Sequence, residues 1–327
     1  MSGRREDLVA TGLRAAWRAA RALPEPAALA LAHAAADVAH RRRGARVEQL
    51  RATLRRARPA AAPAELDALV REGLRAYARY WSDVFRLPSW SRERIVRTVR
   101  LEDAGGLRRV LADGGGAVCA LGHLGNWDHA GAWGALQLGP VTTVAERLRP
   151  EAVFEEFVAF RRRLGVHVLP LGDPSTTGGL VRAARGGHVV PLLADRDLSA
   201  TGVPVTFLGE RVRMAAGPAV VALAAGVPLF PVVVRTEPLA RGSAARRTGA
   251  RYGVVVEVAP AVAAPPAPPG APGAQRRRAA VAAMTQACAD VLADGVRRSP
   301  HDWHVLQPVF TADVTAGPPA GSAGERA

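Results

Sequence analysis

The stretch Ala117-Val118-Cys119-Ala120-Leu121-Gly122-His123-Leu124-Gly125-Asn126-Trp127-Asp128 decides how this chain folds. Its first five residues are apolar and read as a buried strand, Gly122 ends the run, and small residues of helical character follow over 128–138. A histidine at a strand-to-helix turn, with a carboxylate five positions on, suits proton transfer. The helix N-terminus lends N–H groups and a positive field that keep His123 neutral and able to accept a proton. The spacing predicts that Asp128 meets the imidazole across one turn. Gly122 and Gly125 let backbone or ligand approach closely.

Outward from this turn the chain alternates. Strands are expected at Ala117–Leu121, Val141–Ala145, 166–169, Val189–Leu193, Val203–Phe207, 229–234 and Tyr252–Val258. Helical stretches at 128–138, 150–164, 179–184 and 215–225 separate most of them. The fold class is therefore α/β, a layered and mainly parallel sheet flanked by helices, with a helical N-terminal region. In such sheets the site gathers where loops leave the carboxyl ends of the strands. Two other strand ends carry charge as well: Asp195-Arg196-Asp197 after Val189–Leu193, and Glu146-Arg147 after Val141–Ala145. Three charged strand ends point to one polar site on one edge of the sheet.

Before residue 113 the composition is different. All 44 basic residues of the 327-residue chain are Arg, and the net charge is +15. Residues 1–100 hold 21 Arg against 10 Asp and Glu, so most of the excess is N-terminal. This favours an anionic partner there. Residues 5–22 read as an amphipathic basic helix with Arg14, Arg18 and Arg21 on one side, ended by Pro24 and Pro26. The Arg-rich run 41–58 reads as a helix with an apolar side of Val47, Leu50 and Leu54 and a phosphate-facing side. Pro63–Arg86 follows with Leu66, Leu69, Val70, Leu74, Tyr77 and Trp81 at helical spacing, then short helices at 92–100 and Leu107–Ala112. Three regions are expected: 1–112 helical, basic and membrane-associating, 113–311 the α/β core, and 312–327 a disordered tail. Within the second, 263–273 reads as a Pro/Ala/Gly linker and 276–296 as a last helix.

Several function classes lose support. Cys119 and Cys288 make neither a metal quartet nor a disulfide framework and read as small core residues. A His directly after Asp128 points to another side of its helix, which argues against a metal set of His123, Asp128 and His129. A Gly-x-Ser-x-Gly elbow, a phosphate loop and a dinucleotide fingerprint are all missing from the sequence. Aromatics make up 5% of the chain and do not interleave with the Arg runs, so no nucleic-acid partner is expected. Gly217-Pro218 and Gly226-Val227-Pro228 break the apolar run 214–234, and no transmembrane helix is expected. A thioesterase using the same residues stays open at this point.

The turn also resembles a known family. His-x4-Asp after a strand, here His123 to Asp128, is similar to the signature of the glycerolipid acyltransferase superfamily. Further stretches resemble its branch holding the lipid A late acyltransferases and the actinobacterial phosphatidylinositol mannoside acyltransferases. They are Tyr77-Ala78-Arg79-Tyr80-Trp81, Phe85-Arg86-Leu87-Pro88, Thr143-Val144-Ala145-Glu146-Arg147-Leu148, Asp195-Arg196-Asp197-Leu198, Arg213-Met214 with Ala216-Gly217-Pro218-Ala219, and Asp302-Trp303-His304 with Leu306-Gln307-Pro308. The resemblance implies transfer of a palmitoyl-like chain from acyl-CoA, as co-substrate, to a mannose hydroxyl of phosphatidylinositol mannosides. It implies no other cofactor and no metal. Its setting would be peripheral, on the cytoplasmic face of the cell membrane, with an anionic lipid acceptor and the inner leaflet as partners. A lipid A-like or lysophospholipid acceptor is the alternative within the same superfamily. His123 matches the family's base and Asp128 its motif carboxylate. Asp195 stands where the mannoside enzymes have a Glu paired with the histidine, one methylene shorter, which leaves direct and water-mediated contact open. Glu146, Arg147, Arg161, Arg196 and Asp197 are the expected substrate-binding residues.

Overall fold

Strand Ala117–Leu121 is buried at all five positions, as a parallel strand covered on both faces must be. It lies inside a seven-stranded sheet of the computed structural model, which describes residues 12, 21–146, 151–197, 202–266 and 272–315. In chain order the elements are α1 (Glu25–Arg42), α2 (Ala45–Ala57), α3 (Pro63–Arg86), α4 (Arg92–Arg97), β1 (Val99–Asp103), α5 (Leu107–Ala112), β2 (Ala117–Leu121), α6 (Trp127–Gln137), β3 (Val141–Ala145), α7 (Glu151–Arg163), β4 (Val166–Pro170), α8 (Thr176–Arg185), β5 (Val189–Leu193), β6 (Val203–Phe207), β7 (Glu210–Met214), α9 (Gly217–Ala225), β8 (Leu229–Pro238), α10 (Ala244–Arg247), β9 (Tyr252–Val258), α11 (Gly273–Arg298) and α12 (Thr311–Thr315).

The sheet order is β1-β9-β8-β2-β5-β3-β4, parallel throughout except between β8 and β9. Strands β2, β5 and β3 are consecutive neighbours. The ends that carry His123, Asp195 and Glu146 therefore open on the same edge. Alternation along β2 splits the core in two. Val118 and Ala120 face α8, α9 and α11, while Ala117, Cys119 and Leu121 face α6. Cys119 and Cys288 sit on opposite faces of the sheet, both free and buried, their thiols pushed up to about 12 by burial.

Three sequence expectations are corrected. The run 92–100 is a single helical turn-and-a-half, α4, followed by edge strand β1 pairing with β9. Strand β6 does not join the main sheet. It pairs antiparallel with β7 across a turn at Leu208 and Gly209, both at positive φ (51° and 89°), the backbone a two-residue hairpin requires. The Arg-rich run 41–58 is two helices, broken at Arg43 (φ 47°) and Gly44. Its face is also less solvated than the charge count suggests. Arg43 and Arg51 pair with Asp67, and Arg56 pairs with Glu210 and Asp313. Arg41, Arg42, Arg46, Arg55 and Arg58 stay exposed, with no carboxylate partner among the described residues. The helix expected over 5–22 lies outside the described residues apart from Gly12, Arg21 and Ala22.

Thr311–Thr315 is helical and Asp313 holds Arg56 and Gln49, so chain order extends past residue 312. Residues 316–327 and 267–271 lie outside the described residues. Helix α11 is long and apolar enough by composition to cross a membrane. Its Ala289, Leu292, Ala293 and Val296 are instead spent on the core beside Val233 and Trp303.

Helix α3 connects the N-terminal helices to the site. Its first half packs Leu66, Val70 and Leu74 against α1 and α2. Its second half lays Tyr77, Tyr80, Trp81 and Phe85 against Trp133, Phe157 and Phe160 beside α6.

Candidate active site

Gly122 and Gly125 bracket a turn that only glycine can make at its second position. Gly125 sits at φ +57°, and a Cβ there would lie 2.7 Å from the Val234 carbonyl oxygen. This close approach to β8 is backbone against backbone. Asn126 then caps α6, its side-chain oxygen accepting the His129 N–H at 3.0 Å.

His123 emerges beside the end of β5. Its Nδ1 lies 2.6 Å from Asp195 Oδ1, and its own backbone N–H donates to Asp195 Oδ2 at 2.9 Å. The indole Nε1–H of Trp303 donates to the same Oδ2 at 2.9 Å. The shorter Asp195 side chain thus reaches His123 directly. An ionised carboxylate only accepts, so the neutral form of the ring carries its proton on Nδ1, and among the described residues the Nε2 lone pair is unused. Burial of Asp195 works to push its carboxyl up. The His123 charge, the two His123 donors and the Trp303 donor outweigh that and hold it down at about 2. A depressed carboxyl contributes stability above its ordinary value of 3.8, and that contribution is lost as pH falls towards about 2. At neutral pH the carboxylate is a fixed negative charge behind the imidazole.

The segment after α11 completes the arrangement. The Asp302 carbonyl accepts the Gly125 N–H at 2.9 Å, and the His304 N–H donates to the His123 carbonyl at 2.8 Å. The Asp302 carboxylate, wholly buried, accepts the Thr236 N–H at 2.6 Å and an Arg79 N–H at 3.4 Å. This strap holds the histidine turn from one side while Asp195 holds its ring. The Gly125 amide is thereby occupied and is no donor to a developing oxyanion. His304 packs against Tyr77, Tyr80 and Trp127, with ring centroids 5.6–6.0 Å apart. Burial, then the Arg79 and His123 charges, lowers its imidazole to about 3, so it stays neutral beside His123.

Asp128 does not meet the imidazole, which corrects the spacing argument. At the second position of α6 it points away from the turn. It accepts from Tyr80 Oη at 2.8 Å and from Arg161 Nε at 2.8 Å and Nη2 at 3.3 Å. Its work in the fold is to tie α3 and α7 to the start of α6. Burial raises the Tyr80 hydroxyl well above its usual value, helped by the Asp128 charge, so it remains a donor. Arg161 is thereby matched to Asp128, and both line the cavity under α6. Glu146 is exposed at the end of β3, and Arg147 lies outside the described residues. Arg196 donates to Gln307 at 2.5 Å. The Asp197 N–H donates to the Arg213 carbonyl at 3.0 Å. Asp195 and Arg196 are thus brought together with the C-terminal segment, while Glu146 stands apart from His123.

Sequence reasoning assigned no role to Tyr80, Trp303 or His304, although their stretches carry the resemblance. A buried aromatic, His and Asp cluster bounded by Pro300 and Pro308 was the available clue.

An apolar cavity of about 120 Å³ opens under α6, between the helix and the sheet. Leu121, Trp127 and Asp128 line it, the residues flanking His123 on both sides, and Cys119, Val141, Val166, Val189 and Val232 extend it along the sheet. The Trp127 ring stands edge-on to His123 at 5.4 Å. An imidazole backed by a buried carboxylate, next to an apolar cavity lined by its neighbours Leu121 and Trp127, can take a proton from a nucleophile attacking an acyl group.

The Trp303 indole N–H reaches His123 through Asp195. Trp303→Phe should keep the packing with Phe207 and Phe310 while removing one donor from the carboxylate. The expected outcome is a fall in kcat of about tenfold, an unchanged KM and a moved pH profile. A merely structural role would lower the melting temperature and leave the pH profile in place.

The profile of the family described as bacterial lipid A biosynthesis acyltransferase matches residues 11–312. The chain is 39% identical over 309 residues to a phosphatidylinositol mannoside acyltransferase of Mycolicibacterium smegmatis, covering 93% of this chain and 92% of that protein. It is 40% identical to one of Mycobacterium tuberculosis, covering 92% and 88%. The histidine turn, the parallel sheet that presents it and the cavity beside it occur in a chain that belongs to the bacterial lipid A biosynthesis acyltransferase family and is an acyltransferase.

Proposed function

We propose that this enzyme moves a palmitoyl-like chain from acyl-CoA to a mannose hydroxyl of a phosphatidylinositol mannoside, with His123 as general base. The observation that carries the chemistry is the line from Trp303 through Asp195 to His123, ending at an unused Nε2 beside an apolar cavity. Nε2 accepts the hydroxyl proton as the sugar oxygen attacks the thioester carbonyl. The carbonyl–sulfur bond then breaks, and the imidazolium returns the proton to the leaving CoA thiolate. The products are the ester and free CoA. Asp195 keeps the productive tautomer and stabilises the imidazolium. The thiolate leaves readily, so the mechanism needs no acyl-enzyme. Inside the cavity each buried methylene of the acyl chain contributes about 0.8 kcal/mol to donor binding. The mannoside acceptor rests on the names of the relatives.

The reaction is proposed to run peripherally on the cytoplasmic face of the membrane. The exposed arginines of α1 and α2 suit an anionic leaflet, about 1 kcal/mol each near the surface.

Water in place of the sugar would make the same groups a thioesterase. The two readings separate on acceptor dependence. With acyl-CoA alone, CoA release should be slow, and phosphatidylinositol mannoside should stimulate it strongly. Release that ignores the acceptor would favour hydrolysis.

A further inference from the structure

A second concavity lies outside the catalytic machinery. It is a surface groove of about 480 Å³ between α1 and the loop from β8 to β9, a volume within the range of small-ligand sites. The α1 side is apolar, from Leu29 and Ala30, and the loop side carries Leu239 together with Arg241, Arg246 and Arg251. Among the described residues no carboxylate lines the groove, and none of the three arginines has a carboxylate partner. Some arginines of α1 to α3 are neutralised, as Asp37 does for Arg71 and Arg75, and others stay exposed on the helix surfaces, but the three here converge on one concavity. Three like charges gathered along one wall repel unless an anion joins them. A further group at the groove is unmet: His33 lines it, and its Nε2 is buried without a hydrogen-bond partner.

The position is as informative as the composition. β8 runs parallel to β2, so Pro238 leaves the sheet at the same end as His123. Tyr252 lines this groove and also the small polar pocket walled by Gly125, Asn126 and His304. The Arg79 guanidinium lies over the Tyr252 ring at 4.5 Å. The groove therefore borders the back of the histidine turn.

We propose that this groove binds one glycerophospholipid, with Arg241, Arg246 and Arg251 on the headgroup phosphate and Leu29, Ala30 and Leu239 against the first tail carbons. A free phosphate would leave the apolar wall unused, and a neutral lipid would leave the arginines unmatched. This site is separate from the acyl cavity under α6, and its binding needs no turnover, so it stands or falls independently of the proposed reaction.

The test is titration of the full chain, without acyl-CoA, by dihexanoyl-phosphatidylglycerol below its micelle concentration. Saturable one-to-one binding is expected. Arg241→Glu with Arg251→Glu should weaken it about tenfold or more, and the double Lys variant should keep most of it. Ala30→Glu, which sets a carboxylate before the arginines from the opposite wall, should weaken it similarly and does not depend on the loop. Arg277→Glu with Arg278→Glu, an equal charge change on α11, should leave it unchanged. No saturable binding would overturn the proposal. So would unaltered affinity in both groove variants, or displacement of the lipid by glycerol phosphate or free CoA at equal concentration.

Discussion

His123→Ala should lower the transfer rate by about 10²–10⁴-fold, the range a positioned general base supplies, and leave the fold intact. The imidazole packs edge-on to Trp127 and is 14% exposed at its side chain, so truncation leaves a gap that water can fill. The backbone bonds that hold the turn, Gly125 N–H to Asp302 and His304 N–H to the His123 carbonyl, do not involve the ring. On the proposed reading KM for acyl-CoA should change little, because the donor's chain would lie in the cavity under α6. Circular dichroism and thermal melting check the fold, and acceptor-dependent CoA release checks the rate. Wild-type rates in this variant would remove His123 from the mechanism.

Asp195→Asn should be comparably severe, up to about 10⁴-fold in kcat, as expected where an amide replaces the carboxylate that sets a catalytic tautomer. The substitution is close to isosteric. An amide oxygen can still accept from His123 Nδ1, but the Asn NH₂ would then face the backbone N–H of His123 and Trp303 Nε1, both donors. If the amide flips to relieve that clash, its NH₂ faces Nδ1, and the imidazole must place its proton on Nε2. Either outcome damages the base: one strands a buried donor pair, the other selects the unproductive tautomer. Asp195→Glu restores the negative charge one methylene longer and should recover part of the rate. A Glu variant as inactive as the Asn variant would mean that packing around Asp195 matters more than charge.

Much of this arrangement is legible in the sequence, and the missing parts have physical causes. β2 is written as an uninterrupted apolar run because both its faces are covered. The strand-to-helix turn is marked by Gly122, Gly125 and the cap residue Asn126. The charged ends of β2 and β5 imply one site because parallel strands finish on one side, and His123 and Asp195 do meet there, whereas Glu146 at the end of β3 does not join them. β1 is hidden because Val99–Asp103 is an edge strand alternating half-buried and exposed residues, next to Arg-rich helical sequence. β7 is hidden for a similar reason, with Arg211 and Arg213 exposed and Glu210 half-buried against Arg56. The exchange of roles between Asp128 and Asp195 could not be read from spacing. Five positions along the chain look close, yet by the second residue of a helix the side chain has turned towards α3 and α7. Asp195 is 72 residues from His123, and Trp303 is 108 from Asp195. Only the strand order makes the first contact and only the C-terminal strap makes the second.

The central claim is that a sugar hydroxyl, activated at His123 Nε2, receives the acyl group. It is tested most directly by incubating the purified enzyme with palmitoyl-CoA and phosphatidylinositol mannoside and identifying the lipid product by mass spectrometry. The expected product is a mannoside heavier by one palmitoyl group with the ester on a mannose, formed by wild type and nearly absent with His123→Ala. Free palmitate as the sole product, or equal ester from the alanine variant, would contradict it.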